Sequence, residues 1–331
     1  MPYHHLTPSE RKVIYSMRSM PDTYTQQDIA RALGRSQSTI SRELRRNGER
    51  DGRYNPHIGN VLYCMRRQRL YCCTKRDQAE LMGVVEGHLQ EKWAPEQIAG
   101  RLREMLYPQD PSMWVSHETI YEHVRQDKAQ GGTLYRHLRR GRKTWGKRGA
   151  GRHPNAFIKG RVSIEQRPPA VSTREQAGDW EGDTFYGRHR KGCIVTLVER
   201  KTGLLAASTM PDAKAGSLNA AVLRSVQDIP TALLNTLTVD NGKEFAHFTE
   251  LEKALDLRVF FAHPYSAWER ATNENTNGLL RQYFPRTKDL STLTEEQLQE
   301  VVRSLNCRPR KRLGYRTPHE AFREITLALD T

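Results

Sequence analysis

The chain is 331 residues long, more than a single hydrophobic core usually sustains, so at least two domains are expected. A formal net charge of +15 and a pI near 9.7 point to a polyanionic partner, nucleic acid above all. Cys64, Cys72, Cys73, Cys193 and Cys307 form no C-x-x-C pair and no matched Cys/His quartet, which argues against a zinc site and a disulfide framework. No apolar run approaches the ~18 residues of a membrane span, and the N-terminus lacks a signal-peptide core, so a cytoplasmic, nucleoid-associated protein with no membrane partner is expected.

The charge is unevenly placed. Residues 1–177 hold 32 Lys and Arg against 18 Asp and Glu, leaving a net +1 for all that follows. A generally basic, solubilising surface would not be distributed in this way, so binding is assigned to the N-terminal half.

Within that half, QQDIARALGRSQSTISRELRR (26–46) predicts two short helices around a turn at Gly34, following an upstream helix from Pro8 to Ser19. Ile29, Ala30 and Leu33 supply one buried face, Ile40 and Leu44 the other, and Ser36 is placed as an N-cap. Arg35, Gln37, Ser38, Thr39, Arg42, Arg45 and Arg46 can then contact base edges and phosphates from a recognition helix. An ordinary helical hairpin with a basic solvated face would share this pattern.

A diverged copy follows, with EQIAGRL (96–102) matching QDIARAL (27–33) and SHETIYEHV (116–124) matching SQSTISREL (36–44). Ser116 is its expected N-cap, with His117 and Thr119 as candidate DNA contacts; a helical pair used for dimerisation is the alternative. The reading assigns residues 1–60 to a first helix-turn-helix domain, 61–90 to a helical connector and 91–138 to a second such domain. RRGRKTWGKRGAGRH (139–153) opens a basic flexible linker, 139–177, in which Arg139, Arg140, Arg142 and Lys143 can track a phosphate backbone and Trp145 can stack on a base. A plain solvated linker would have the same composition.

From residue 178 to 331 the pattern changes to β-rich runs, DTFYGR, GCIVTLVER, GLLAASTM, LTVD and LRVFFAH, with helices expected near 215–226, 244–254, 268–283 and 295–306. Three strands, then helix, strand, helix and strand, suggest an α/β domain of RNase H-like order with a mixed five-stranded sheet. In such a sheet the first and fourth strands are neighbours. Asp183 on the first and Asp240 at the end of the fourth therefore converge, and Glu274 on the following helix is expected to join them. Like charges so close call for cations, and hard oxygen ligands suit two Mg²⁺ ions, with Mn²⁺ able to substitute. Asp179, Glu181 and Glu244 are rivals for these places; Glu181 shares a face with Asp183 in an extended segment, so periodicity does not separate them.

GDWEGDTFYG (178–187), TVDNGKEFAHF (238–248), YSAWERATNENTNGLLRQYFPR (265–286), LNCRPRKRLGYRTPHEAF (305–322) and GRSQSTISREL (34–44) together resemble the DDE transposase and retroviral integrase superfamily, and specifically the IS-thirty family of bacterial insertion-sequence transposases. The resemblance runs through almost the whole chain. It implies a catalytic triad of Asp183, Asp240 and Glu274, with Arg281 matching the basic residue seven positions after the glutamate and holding the DNA end. It also implies metal-dependent cleavage at terminal inverted repeats, 3′-hydroxyl strand transfer into target DNA, and a homodimer or higher assembly on double-stranded DNA. A repressor with an inert C-terminal domain, or a recombinase with a covalent tyrosine or serine nucleophile, would be different outcomes.

Overall fold

The computed structural model describes residues 5–20, 24–48, 53–71, 75–139, 158–264 and 266–329. These divide into two compact units, Met1–Met82 and Gly83–Thr331, with the boundary inside one helix. Arg140, Arg142, Lys143 and Trp145 lie outside the described residues.

The first unit is helical. Helix α1 (Pro8–Arg18) starts at a capping box in which the Thr7 hydroxyl accepts from Glu10 N while the Glu10 carboxylate accepts from Thr7 N; Thr25 and Asp28 repeat the device at α2 (Gln26–Ala32). Helix α3 (Gln37–Asn47) begins where the Ser36 hydroxyl accepts from Thr39 N. Gly34 takes a φ of +60° in the intervening turn, a conformation costly for any residue with a Cβ. Ile14, Ile29, Ala30 and Ile40 form the core, sealed by Leu6 and Tyr54. Helix α4 (Pro56–Tyr71) packs on α1 and α3.

An ion pair lies beneath this core. Arg11 Nε donates to Glu43 Oε1 at 2.8 Å, and the Tyr54 hydroxyl donates to the same oxygen at 2.9 Å; the Arg11 side chain is 2% exposed. Burial and Glu43 together raise the Tyr54 phenol well above its ordinary range. Removing one member of a buried pair leaves the other uncompensated.

In the second unit, α5 (Ala79–Gln90), which crosses the boundary, leads to α6 (Pro95–Arg101) and α7 (His117–Ala129). Ile98, Leu102, Ile120 and Val124 are buried, and Ser116 caps α7 through Thr119 N. Helix α6 packs on the C-terminal segment of the chain. Arg101 makes two bonds to the Glu320 carboxylate, at 2.6 and 2.9 Å, and Gln97 Nε2 donates to Pro309 O at 2.7 Å. Gly100 lies so close beneath the Tyr315 ring that a Cβ would fall 2.1 Å from it.

After a short α8 (Ala170–Thr173), strands β1 (Asp179–Tyr186), β2 (Cys193–Glu199), β3 (Leu205–Met210), β4 (Thr236–Val239) and β5 (Arg258–Phe261) form a sheet of order β3-β2-β1-β4-β5. The β1–β2 and β2–β3 pairs are antiparallel, β1–β4 and β4–β5 parallel. This is the expected RNase H-like mixed sheet. One face, carrying Trp180, Val195, Leu197, Leu237 and Val239, packs against α9 (Ala215–Val226) and α10 (Phe248–Leu255). The other, carrying Phe185, Ile194 and Val198, packs against α11 (Ala271–Leu280) and α12 (Glu295–Asn306); α13 (Pro318–Leu327) closes the chain, its Phe322 against Trp180.

Two boundaries differ from the sequence reading. Residues 158–173, expected as linker, are built into this unit: Ile158 and Val171 are 4% exposed, and Phe261 N donates to Val162 O, so a further stretch lies along β5. Two buried apolar side chains, a backbone bond to β5 and the bonds of Arg161 to Asn241 and Arg167 to Thr238 tie down a segment whose average composition is polar. The helix expected from 268 begins at Ala271, preceded by a 3₁₀ turn at Ala267–Arg270.

Glu43→Ala is expected to cost the first unit about 3–5 kcal/mol. Urea unfolding followed by circular dichroism on residues 1–82 checks this as a lowered midpoint.

Candidate active site

The site follows from strand register. In the parallel β1–β4 pair Asp179 lies opposite Thr236 and Glu181 opposite Thr238. Two residues further along each strand are Asp183 and Asp240, carried to neighbouring positions on the face that meets α11. Asp183 accepts from Thr184 N at 2.9 Å and from Asn277 Nδ2 at 3.0 Å, while Asp240 accepts from Gly242 N at 3.0 Å.

One guanidinium stands between them. Arg270 Nη1 is 3.3 Å from Asp183 Oδ1 and Nη2 is 3.5 Å from Asp240 Oδ2. Burial pushes the Asp183 carboxyl up to about 6 from 3.8; Arg270 opposes the rise and the charge of Asp240 adds to it.

Helix α11 is fastened to the sheet by two asparagines one turn apart. Asn273 Nδ2 donates to Glu181 O at 2.7 Å and to Thr196 O at 3.1 Å, and Thr196 Oγ1 donates to Asn277 Oδ1 at 3.2 Å. Asparagine is a poor helix former. Two in register inside a helix mark a polar face against something buried, a signal overlooked in the sequence; Arg270 continues that face one turn earlier.

Glu181, the rival to Asp183, is fully buried and accepts from Thr272 Oγ1 at 3.0 Å and Asn273 N at 2.9 Å, with Arg200 Nε at 3.1 Å. Asp179 accepts from Thr236 Oγ1 at 2.6 Å, and Glu244 accepts from Thr184 Oγ1 and Tyr186 OH on the opposite face of the sheet. All three carboxylates are engaged within the fold.

Glu274 does not join the pair. It is exposed on α11 and forms no hydrogen bond or ion pair with any described residue; among those residues no three His, Cys, Asp or Glu side chains cluster closely enough to hold a metal. The expected convergence of three acids is therefore met by two. Asn273 and Asn277 take the face of α11 that meets the sheet, and Arg270 supplies the compensating charge. A hard divalent cation nevertheless fits the two carboxylates present, whose oxygens now share a cation.

Arg281, expected to hold DNA, caps α11 and donates from Nη1 to Tyr186 O at 3.0 Å, with its guanidinium 3.6 Å above the Phe185 ring. Burial, with Arg286 nearby, lowers it to about 10.

The helix-turn-helix residues divide similarly. Gln37, Ser38, Arg42, Arg45 and Arg46 are exposed on α3 and Thr39 is half-buried, whereas Arg35 Nε donates to Glu10 at 2.9 Å. On α7, exposed His117 lies 3.5 Å from Glu118, and the Thr119 hydroxyl meets Ser116. The exposed face of α7 thus carries acids that α3 lacks. Arg139 is exposed and reaches back over Gly278 of α11.

Comparison with known proteins is decisive for the family. Over 328 residues the chain is 38% identical to the "Transposase for insertion sequence element IS4351" of Bacteroides fragilis, spanning 97% of this chain and 96% of that one. The chain belongs to the IS30 family of insertion-sequence transposases. The "Transposase InsI for insertion sequence element IS30A" of Escherichia coli K12 is 36% identical over 325 residues, 96% of this chain and 82% of that one. Residues 2–47 match the family model described as "Helix-turn-helix domain". Among solved structures, the catalytic core domain of BIV integrase aligns over 47% of this transposase and all of that chain, with 22% identity and a TM-score of 0.37.

The raised Asp183 carboxyl makes a pH prediction. With its folded value above its unfolded one, the native state holds the extra proton between about pH 4 and 6, so this contribution to stability is present below 3.8 and lost as pH rises through about 6. Asp183→Asn is therefore expected to stabilise the metal-free protein at pH 7.5 by up to about 3 kcal/mol. Thermal melts in chelator should show that gain shrinking towards pH 4.

Proposed function

We propose that this chain cuts the ends of its insertion sequence at terminal inverted repeats and joins the freed 3′-hydroxyls to target DNA, with Asp183, Asp240 and Glu274 as the catalytic acids. The observation that carries this reading is the juxtaposition of Asp183 on β1 with Asp240 just past the end of the adjacent parallel β4, the two bridged by the Arg270 guanidinium. Such a pair is a standing demand for cations.

Asp183 and Asp240 would hold the divalent ions, two Mg²⁺ with Mn²⁺ as substitute, and Glu274, exposed on α11 and apart from the pair in this structure, would have to turn towards them to serve as the third ligand. Bound there, the ions supply Lewis-acid stabilisation of a phosphodiester and activation of the attacking oxygen. The protein's own part is orientation. Asn277 and Thr184 N aim one carboxylate, Gly242 N aims the other, and Asn241 Nδ2 secures the turn after β4 by donating to Ala262 O at 2.7 Å. Arg281 is proposed to hold the DNA end, which requires it to leave the carbonyl of Tyr186.

Double-stranded DNA is bound through α3, whose exposed arginines face no acid on their own helix, aided by Arg139, Arg140, Arg142 and Lys143. The mixed charge of α7 suits base contacts or pairing with a second protomer more than backbone contacts. Joining two ends calls for two copies of the chain on DNA.

Two experiments test this. Asp240→Asn should reduce Mg²⁺-dependent cleavage of end-containing DNA by roughly a thousandfold or more while leaving binding intact; cleavage by the variant at the wild-type rate would remove the triad assignment, whereas a wild type that binds but does not cut would make a DNA-binding repressor the better reading. Replacing Arg42 and Arg46 with Ala should weaken binding to all sequences and lower the slope of log K against log salt by about 1 for each phosphate no longer neutralised. Fluorescence anisotropy across a salt series measures it.

A further inference from the structure

Arg270 compensates the Asp183–Asp240 pair without being tightly tied to it. Its two contacts, at 3.3 and 3.5 Å, exceed the 2.7–2.9 Å of a strong charge-assisted bond, and each carboxylate takes one nitrogen rather than a fork. Among the described residues the remaining contact is Nη1 to Gly182 O at 3.3 Å, and the buried Nε has no hydrogen-bond partner. Arg101, whose Nε is likewise without a partner among the described residues, differs in its grip: both Nη atoms hold the one Glu320 carboxylate, at 2.6 and 2.9 Å. Arg270 also precedes α11, so its side chain can leave while Asn273 and Asn277 keep the helix on the sheet.

We propose that Arg270 is a resident counter-ion that holds the two carboxylates together in the absence of metal and yields its place when a DNA phosphate draws the guanidinium away. Binding of DNA and of divalent cation are then coupled through one side chain. The inference rests on the metal-site reading proposed above. A phosphate offers the planar guanidinium a bidentate partner that the split carboxylates do not, and Nε then gains an acceptor. The guanidinium and a divalent ion compete for the same oxygens, so whatever removes the first raises affinity for the second, and by linkage bound metal favours phosphate capture in return. Loss of Arg270 also makes Asp183 harder to ionise, but a dication feels the missing positive charge twice as strongly as a proton does, so metal affinity rises on balance.

The test is Mn²⁺ binding to the full-length protein at pH 8, read from the electron paramagnetic resonance signal of the free ion, with and without a duplex carrying the inverted repeat that flanks its own gene. Without DNA, Arg270→Gln should bind Mn²⁺ about tenfold more tightly than wild type, and Arg270→Lys should fall between them. DNA should tighten Mn²⁺ binding to the wild type and not to Arg270→Gln. A merely structural arginine would give the opposite sign, because damage to the site lowers affinity; Mn²⁺ binding no tighter than wild type in both variants overturns the proposal. Asp183→Asn added to Arg270→Gln separates the two ideas. If the double variant loses Mn²⁺ but Arg270→Gln alone gains no affinity, only the counter-ion role fails. If the double variant binds Mn²⁺ as well as Arg270→Gln does, the carboxylate pair is not the metal site and the functional reading fails with it.

Discussion

Two carboxylates side by side on neighbouring parallel strands repel one another, and the centre of the second unit is arranged around that repulsion. The β1–β4 register, continued two residues, brings Asp183 and Asp240 together. Burial adds to the cost, and Arg270 offsets part of it. The pair is a cost to the metal-free fold, and one that the proposed cation would remove.

The same logic explains why α11 meets the sheet through polar groups when its neighbour α12 presents Leu298, Val302 and Leu305. An apolar helix over β1 would bury Glu181 and Asp183 without donors. Asn273, Asn277 and Thr272 satisfy Glu181, Asp183 and the backbone between them, and fix the helix to within a hydrogen bond of its working place. Arg270, at 3.3 and 3.5 Å from its two carboxylates, is held more loosely than the asparagines beside it.

Much of this was legible in the sequence, and the divisions are physical. Strand order, the caps at Ser36 and Ser116 and the helices over 215–226 and 295–306 depend on local pattern, and there sequence and structure agree. Glu181 and Asp183 share a face and a chemistry, so periodicity could not rank them; Arg200 and α11, distant in sequence, occupy the first. The partners that Arg35 and Arg281 take within the fold, Glu10 and the carbonyl of Tyr186, were not legible, because residue type reports charge and not partner. Arg270 is not marked in the sequence, because a lone arginine between Glu269 and Ala271 carries no periodic signal. Its meaning appears only when two strands are laid side by side.

The docking of α6 on the C-terminal segment has a consequence in time. Gln97 and Arg101 take partners 212 to 219 residues further along, within the last tenth of the chain. While the polypeptide is still being made, the first unit has every residue of its own core, whereas Gly100 lies bare until Tyr315 arrives. An emerging chain therefore holds a finished DNA reader before it holds a finished second unit, and any product cut short before residue 308 keeps the reader and lacks the ring, the carboxylate and the carbonyl that seat the second helical pair.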